Sequence, residues 1–411
     1  MNLLRALAIS SLVAGLAAQE TRPLVQGRLE ERSGLRILRV WGTPQERGYA
    51  HGVLLGREIV HVLALEWQAR FARMPEHLER MRAALPRLVA WPERIAAELR
   101  GLHRGVVASG ARLRLDAVER DLDLRDLEVA NALDVFAVLA CSGFTLTGPA
   151  VAGGGVLTAR NFDWPWTGPH LAEHTLLVVQ EPGDGLAFAS VAWPGYVGAV
   201  TAVNEAGVAV FVHIGNGRLS SAPRPGSWPT AVATREVLER GSPGAALSVA
   251  RAALAHTSPP ASYTTRVVLP VADAEGRAEH LFEADVDRIV VSPGAPVCVV
   301  TNHFLGRTPG RGAALDSVRR QEVLQGILAP AAAGREPATA ALAWEALGAV
   351  ARDHRIAYST VHSLVFRQDP WRFEVAIGQP QAGRRLVPAP RTTPRFALSR
   401  AELFPDRSTP R

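Results

Sequence analysis

The sequence predicts an α+β protein, and three observations carry that reading. Before residue 140 the apolar residues recur at steps of three and four, the spacing of one helix face. After residue 140 the spacing changes to short apolar runs bounded by glycine and proline, as in strands. Helical stretches then separate two groups of such strands, the pattern of sheets covered by helices.

The elements follow in order. Leu35 to Trp41 is an apolar run that predicts a strand. Thr43-Pro44-Gln45-Glu46 supplies a cap, a proline at the first helical position and a glutamate three after the cap, so a helix starts there. Its buried face continues through Leu55, Ile59, Val62 and Leu63. Pro75, Pro86 and Pro92 punctuate further helical pattern to about Gly105, and a last helical segment is expected from Leu124 to Leu139. Val151 to Trp164 reads as a hairpin around Gly153, Gly154 and Gly155. Strands are expected at 176–180, 187–193, 197–203 and 208–214, and helices at 230–238 and 245–254. Strands return at 264–271, 280–282, 287–291 and 297–301, helices at 316–328 and 339–350, and strands at 361–366 and 373–377. The Pro- and Arg-rich end after Pro380 is expected to be a loose tail.

Composition excludes several classes of function. With 47% hydrophobic and 20% charged residues, the 411-residue chain has enough apolar side chain to order itself, so it is not intrinsically disordered. No stretch after the leader reaches ~18 consecutive apolar residues, which excludes a multi-span membrane protein. Two cysteines exclude a disulfide-dense scaffold and most cysteine-rich zinc sites. The formal charge of +6 comes from 45 basic against 39 acidic residues, and every basic residue is an arginine. The arginines stand singly or in pairs and form no basic arm, so no nucleic-acid partner is expected.

The N-terminus has the form of a secretory leader. Arg5 gives a positive start, Ala6 to Leu16 is mainly apolar, and small residues at Gly15, Ala17 and Ala18 suit cleavage near residue 18. No cysteine follows, so neither a lipid nor another stable membrane anchor is expected. The chain then divides into a signal peptide (1–18), a mostly helical segment (19–140), a core (141–380) and the tail (381–411), and the mature protein is expected to be secreted or periplasmic.

The chemistry-bearing residues surround Cys141, at the end of an apolar helical run. Arg160, Asn161 and Asp163 crowd the end of a hydrophobic strand, where polar groups are costly to bury unless they pair or act. An arginine beside a cysteine favours the thiolate and a stronger nucleophile. An acyl-transfer site also needs oxyanion donors and a base. Asn204, in a turn between strands, and Asn302, ending a buried strand, could each supply a donor. For the base, His303 and a free α-amino group remain open.

In this order the motifs resemble those of the penicillin acyltransferase group of N-terminal-nucleophile hydrolases, related to bile-salt hydrolases and penicillin V acylases. The resemblance runs through Arg47-Gly48 with His51-Gly52, Cys141-Ser142, Arg160-Asn161-Phe162-Asp163, Asn204-Glu205-Ala206-Gly207, Thr301-Asn302-His303, Asp316-Ser317-Val318-Arg319-Arg320 and Thr360-Val361-His362-Ser363. Each is weak alone, and their order and spacing make them specific. The resemblance implies a four-layer αββα sandwich, self-cleavage between Ala140 and Cys141, and retention of the helical segment as a bound chain. It implies Cys141 as nucleophile and its new α-amino group as base, the latter with an ordinary pKa of ~7.7–8. Asn302 (side chain) and Asn204 (backbone N–H) would form the oxyanion hole, Asp163 would hold the α-amino group, Arg160 would tune the thiol, and Arg320, with Arg319 as rival, would complete the cluster. No metal or organic cofactor is implied, and the substrate would be a small acyl amide. Penicillins, bile-acid amides, N-acyl amino acids, N-acylethanolamines and acyl-homoserine lactones all stay open, as does hydrolysis against acyl transfer.

Other readings stand beside this one. Cys298 lies in an apolar strand and reads as core, and both thiols are expected to be free. Trp164, Trp166, Trp193 and Tyr196 are candidates for an apolar acyl pocket or for plain core. His51 reads as packed between helices and not as catalytic. His170-Leu171-Ala172-Glu173-His174 matches an inverted zinc-protease pattern, but Gly168-Pro169 before it and a strand directly after leave no helix to hold zinc. The competing functions are a non-catalytic binding protein on the same scaffold and an unprocessed thiol hydrolase with His303 or His362 as base.

Overall fold

Two mainly antiparallel sheets face each other across the centre of the molecule, with helices on both outer faces. The computed structural model describes residues 24–132, 140–165, 167–220, 223–353, 358–382, 385–392 and 394–406. The expected leader, the stretch 133–139 of the expected helix before Cys141, and Trp166 lie outside the described residues.

The strands of the two sheets are β1 (Gly27–Arg32), β2 (Leu35–Gly42), β3 (Ala140–Thr147), β4 (Val156–Pro165), β5 (Leu176–Pro182), β6 (Phe188–Ala192), β7 (Thr201–Asn204), β8 (Ala209–Ile214), β9 (Tyr263–Val268), β10 (Glu279–Ala284), β11 (Ile289–Pro293), β12 (Val297–Val300), β13 (Tyr358–Arg367), β14 (Arg372–Ile377) and β15 (Phe396–Leu398). The principal helices are α1 (Pro44–Phe71), α2 (Pro75–Leu88), α3 (Glu93–Ala108), α4 (Leu124–Asn131), α5 (Thr230–Arg240), α6 (Ala246–Leu254), α7 (Leu315–Ala332) and α8 (Ala340–Ala349). One sheet has the order β1-β2-β5-β6-β7-β8-β9-β10-β11, the other β12-β3-β4-β13-β14-β15.

Three apolar layers hold these elements in four tiers. Ile37, Val179, Phe211, Leu364, Phe366 and Phe373 fill the space between the sheets. Val210, Phe282, Val237 and Leu254 join the outer face of the larger sheet to α5 and α6. Phe144, Leu157, Leu324, Leu328 and Trp344 join the smaller sheet to α7 and α8. The architecture is thus the expected α+β sandwich of helix, sheet, sheet and helix.

The segment before Cys141 is built into this sandwich. The predicted capping box forms at Thr43 and Glu46 and starts α1. Helices α1 and α3 meet at glycines: a Cβ on Gly52 would lie 2.2 Å from Leu102 O, and one on Gly105 2.2 Å from Tyr49 O, so only glycine permits this approach. Strand β2 pairs in parallel with β5, adding β1 and β2 to the edge of the larger sheet. A buried ionic network also joins the segment to the core. Arg235 of α5 grips Glu98 of α3 through two nitrogens, at 2.5 and 3.0 Å. Arg47 of α1 reaches Glu98 at 3.3 Å, and Gln180 of β5 accepts from both arginines.

Three expectations need correction. Cys141 itself lies in a strand: residues 140–147 form β3, which pairs along its whole length with β4. The turn glycines do close a hairpin, but its first strand precedes Val151. The described part of the tail, 385–392 and 394–406, is not loose. Strand β15 pairs with β14, and Leu398, Leu403 and Phe404 are buried in the intersheet core. Arg39 donates to the carbonyls of Glu402 and Leu403, which anchors the same stretch.

Candidate active site

The β3–β4 register gathers the chemistry. Cys141 stands opposite Phe162, Ala140 opposite Asp163, and Gly143 opposite Arg160. Gly143 leaves room for charge, since a Cβ there would meet Arg266 Nη1 at 2.3 Å. On the other edge of β4 the β13 register slips between Thr360 and His362, a bulge that keeps Thr360 opposite Asp163.

The Cys141 side chain is fully buried. Its sulfur accepts from Arg160 Nη2 at 2.8 Å and lies 3.5 Å from Val212 O. Arg160 is fixed by further bonds to Val200 O, Thr201 Oγ1 (2.7 Å) and Val212 O (2.8 Å). The expected contact of cysteine and arginine is therefore present, yet the thiol is not poised as a thiolate. Burial pushes the Cys141 thiol above its ordinary value, and the pull of Arg160 does not reverse this. A base is still required.

Asn302 and Arg320 converge on the same residue. Asn302 Oδ1 accepts from the Cys141 backbone N–H at 3.0 Å and from Arg320 Nη2 at 2.6 Å, and its Nδ2 donates to Ile214 O at 3.2 Å. Arg320 Nη1 donates to Cys141 O at 2.7 Å. Arg320 is buried on α7 and Arg319 is exposed, so of the two rivals Arg320 is the one in the cluster. Asp163 is fully buried; its Oδ1 accepts from Thr360 Oγ1 at 2.6 Å, and Arg352 Nε stands 3.5 Å from Oδ2. Burial raises its carboxyl, while Arg320 and Arg352 pull it back.

Asn204 is not brought to this cluster. Its backbone N–H donates to Val208 O at 2.9 Å. Its side chain donates to Leu238 O and Gly241 O and accepts from the N–H groups of Ala206 and Val208. Every polar atom is spent on locking the β7–β8 turn beneath α5, so none is free for an oxyanion.

A different backbone amide faces Cys141. On β8 the Gly215 N–H donates to Ser262 O at 3.0 Å on one edge, and the Val212 N–H to Val200 O at 3.1 Å on the other. Amides alternate edges along a strand, so Ile214 turns its N–H to the Val212 side. That edge carries the carbonyl beside the Cys141 sulfur and the carbonyl that Asn302 Nδ2 contacts. Sequence reasoning missed Ile214 because a main-chain donor leaves no mark in residue type. It also missed Arg352 and Asp316 as partners, although Asp316 opens a quoted motif.

The histidines weighed as bases, His303 and His362, are engaged elsewhere. His303 Nδ1 bonds Ser317 Oγ at 2.8 Å and Nε2 bonds Gln321 Oε1 at 3.0 Å, while His362 Nε2 bonds Thr201 Oγ1 at 2.9 Å. Burial lowers both. His51 Nε2 accepts from the Gly195 N–H at 2.9 Å, and burial pushes it down to about 4. His170 and His174 turn to different glutamates of α1, Glu66 at 2.7 Å and Glu58 at 3.2 Å. Among the described residues no group of three or more His, Cys, Asp or Glu is arranged to hold a metal ion. Cys141 and Cys298 are both free and buried.

An aromatic wall leads away from the nucleophile. Phe162 stacks on Trp164 with ring centroids 5.7 Å apart, Trp193 lies 5.6 Å from Trp164, and Tyr196 stacks on Trp193 at 4.2 Å. Beyond Phe162, these rings and Leu63, Glu66 and Trp67 of α1 line a small cavity of about 20 Å³. The expected pocket residues Trp164, Trp193 and Tyr196 thus meet a wall supplied by the segment before Cys141.

Comparison with known proteins gives three kinds of match. The family model of the acyl-coenzyme A:6-aminopenicillanic acid acyl-transferases matches residues 151–381. A protein of Archaeoglobus fulgidus, itself described only as uncharacterized, is 31% identical over 206 residues, which is 43% of this chain and 32% of its own length. Among solved structures, the Caenorhabditis elegans ortholog of N-acylethanolamine-hydrolyzing acid amidase is 17% identical, covering 56% of this chain and 93% of its own, with a TM-score of 0.40. The penicillin V acylase of Agrobacterium tumefaciens is 17% identical over 58% of this chain and 83% of its own, with a TM-score of 0.36. A conjugated bile acid hydrolase variant of Clostridium perfringens is 11% identical over 63% of this chain and 92% of its own, with a TM-score of 0.44.

Proposed function

The chain belongs to the acyl-coenzyme A:6-aminopenicillanic acid acyl-transferase family, matched over residues 151–381, and from that premise we propose a self-processing cysteine amidohydrolase or acyltransferase acting through Cys141. The observation that carries this reading is the convergence of Arg160, Asn302 and Arg320 on one buried cysteine, on its sulfur, its N–H and its carbonyl.

In processing, the Cys141 thiol attacks the Ala140 carbonyl carbon. The C–N bond breaks, the thiol proton passes to the departing nitrogen, and a thioester forms. Water then cleaves the thioester, its hydroxyl going to the Ala140 acyl group and its proton to the sulfur. Cys141 is left with a free α-amino group that titrates near neutrality and takes the thiol proton in each later cycle. Asp163, opposite Ala140, is the acceptor for the freed amine in this reading, since its Oδ2 accepts no hydrogen bond in the continuous chain.

In turnover the thiolate attacks an amide carbonyl and the amine leaves with the proton held by the α-amino group. The oxyanion is met by Asn302 Nδ2 and the Ile214 N–H. Asn204 is not part of this proposal, because its N–H and its amide are already bonded. Arg320 orients Asn302 through the shared Oδ1 bond. Water completes hydrolysis of the acyl-enzyme, or an amine completes transfer. The aromatic lining contributed by Trp164, Trp193 and Tyr196 favours an apolar acyl group by its chemistry, and the substrate is a small acyl amide. The leader-like residues 1–18 support a secreted or periplasmic site of action. The unprocessed alternative is disfavoured because neither His303 nor His362 bonds the Cys141 sulfur.

The test is intact mass and N-terminal sequencing of the purified protein beside its Cys141→Ala variant. Two fragments in the parent, one beginning at Cys141, and a single chain in the variant are expected. A single chain in both after long incubation at neutral pH overturns self-processing. A parent that processes but turns over no N-acyl amide, and whose Cys141 resists alkylation, overturns the catalytic reading in favour of a binding protein.

A further inference from the structure

The two oxygens of Asp163 have different partners. Oδ1 is bonded to the Thr360 hydroxyl at 2.6 Å. Oδ2 accepts no hydrogen bond, and Arg352 Nε, itself without an acceptor, stands 3.5 Å from it. That separation is too long for a hydrogen bond and short enough for a strong charge interaction in a buried site.

Arg352 is held there from three sides. Its backbone N–H donates to Thr360 Oγ1 at 2.8 Å, and the Thr360 N–H returns a bond to Arg352 O at 3.0 Å. Its Nη2 is bonded to Asp316 Oδ2, and the same oxygen accepts from Arg320 Nε at 3.0 Å. Arg320 goes on to Cys141 O and Asn302 Oδ1. A chain of alternating charge, Asp163–Arg352–Asp316–Arg320, therefore runs from the carboxylate opposite Ala140 to the carbonyl of Cys141.

We propose that Arg352, clamped by Asp316, is a positioning residue for Asp163: it is the counter-ion of that carboxylate in the continuous chain, and after cleavage it opposes the Cys141 ammonium that Asp163 accepts. This rests on the self-processing reading and deepens it. Because Oδ2 keeps its lone pairs, a closer donor can bond it without displacing Arg352. The new ammonium then feels an attractive carboxylate and a repulsive guanidinium together. The carboxylate favours the charged amine and the guanidinium disfavours it, so Arg352 keeps the amine from being locked in its protonated, non-basic form. The other groups facing Asp163 are Arg160 and the Cys141 thiol from the β3–β4 pair, Arg320 from α7, and Tyr358 and Thr360 from β13. Substitution of Arg352 leaves all of them in place.

Removing Arg352 should raise the proton affinity of the amine and of Asp163 alike. Arg352→Gln is expected to process about 10-fold more slowly at pH 7, and the acid limb of kcat/KM in its processed form should move up by about 0.5–1 pH unit. R352K, which restores a cation, should bring the limb back toward the parent value. A purely structural role would lower thermal stability or total activity without moving the limb. The second arm needs no processing: carboxyl titration of Asp163 by NMR in the uncleavable Cys141→Ala protein should shift to higher pH when Arg352→Gln is added. If R352Q does not fold, R352M, which also removes the cation, replaces it in both arms and should move both values in the same direction. An unchanged acid limb, or an unchanged Asp163 titration, overturns the proposal. A parent that never processes overturns the functional reading instead, and the Asp163 titration then decides the role of Arg352 alone.

Discussion

Arg160 donates from Nη2 to the sulfur of Cys141 at 2.8 Å, from the strand that pairs with the cysteine's own. Burial raises the thiol, and this cation is the main force that favours its ionisation against burial. Losing it removes a charge-assisted bond to the thiolate, about 1.5–3 kcal/mol, or roughly 10- to 100-fold. Arg160→Gln is expected to lower kcat/KM by that factor and to move Cys141 alkylation to higher pH. The measurement is iodoacetamide labelling of the processed protein across pH 6–10, followed by mass. An alkylation profile identical to the parent's would remove Arg160 from the tuning role.

Asn302 has two jobs on two atoms. Its Oδ1 receives Cys141 N–H and Arg320, and its Nδ2 is the donor proposed for the oxyanion. Asn302→Asp keeps the acceptor beside Arg320 and deletes the donor. The expected outcome is a folded protein whose melting temperature is lower, because Ile214 O loses its donor, and whose kcat is ~10²–10³ lower. Single-turnover kinetics with an N-acyl amide check this, and full activity in N302D would place the oxyanion elsewhere.

Asn204 makes the opposite prediction. Asn204→Ala strands the carbonyls of Leu238 and Gly241 and the N–H groups of Ala206 and Val208. Buried polar groups left unpaired cost ~1–3 kcal/mol each, and partial relaxation makes about 2–4 kcal/mol the expected total. The urea midpoint should fall while kcat of the folded fraction stays at the parent value. A variant with parental stability and ~10²-fold lower kcat would return Asn204 to the oxyanion hole.

These cases mark what residue type alone conveys. Side chains with distinctive chemistry were legible, so Cys141, Arg160, Asp163, Asn302 and Arg320 were read from the motifs, and the structure gathers them at one end of the β3–β4 pair. That sheets are covered by helices was legible because strand and helix spacing differ in period, while the count of four tiers came from the family resemblance. Asn204 was misjudged because the same turn motif serves a lock and a donor equally well, and only the direction of its N–H separates them. Ile214 left no trace, since a backbone amide belongs to every residue but proline. Strand β3 was hidden because a short apolar run such as Ala140 to Leu146 fits a buried helix end as well as a buried strand. The tail was misread because Pro and Arg suggested a loop, while its few apolar residues, Leu398, Leu403 and Phe404, decide its burial.

The bond between the segment before Cys141 and the core depends on Glu98. This fully buried carboxylate receives Arg235 through two nitrogens and Arg47 through one. Burial alone would raise it, but Arg235 and Arg47 outweigh burial and hold it below its ordinary value of 4.5. A depressed carboxyl contributes stability that is complete above the ordinary value and is lost as pH falls through the depressed one. Glu98→Gln leaves Arg47 and Arg235 short of a buried counter-charge, at a cost of about 3–5 kcal/mol at pH 7. That gap should narrow as pH falls from about 4.5 through the depressed value, because the unfolded chain is protonated first and the folded carboxylate follows. Urea unfolding of parent and E98Q from pH 7 to pH 3 measures both effects. In processed protein, size-exclusion chromatography should find the N-terminal fragment on the core in the parent and at least partly released in E98Q. A stability gap that is constant with pH would mean that Glu98 contributes by packing and not by charge.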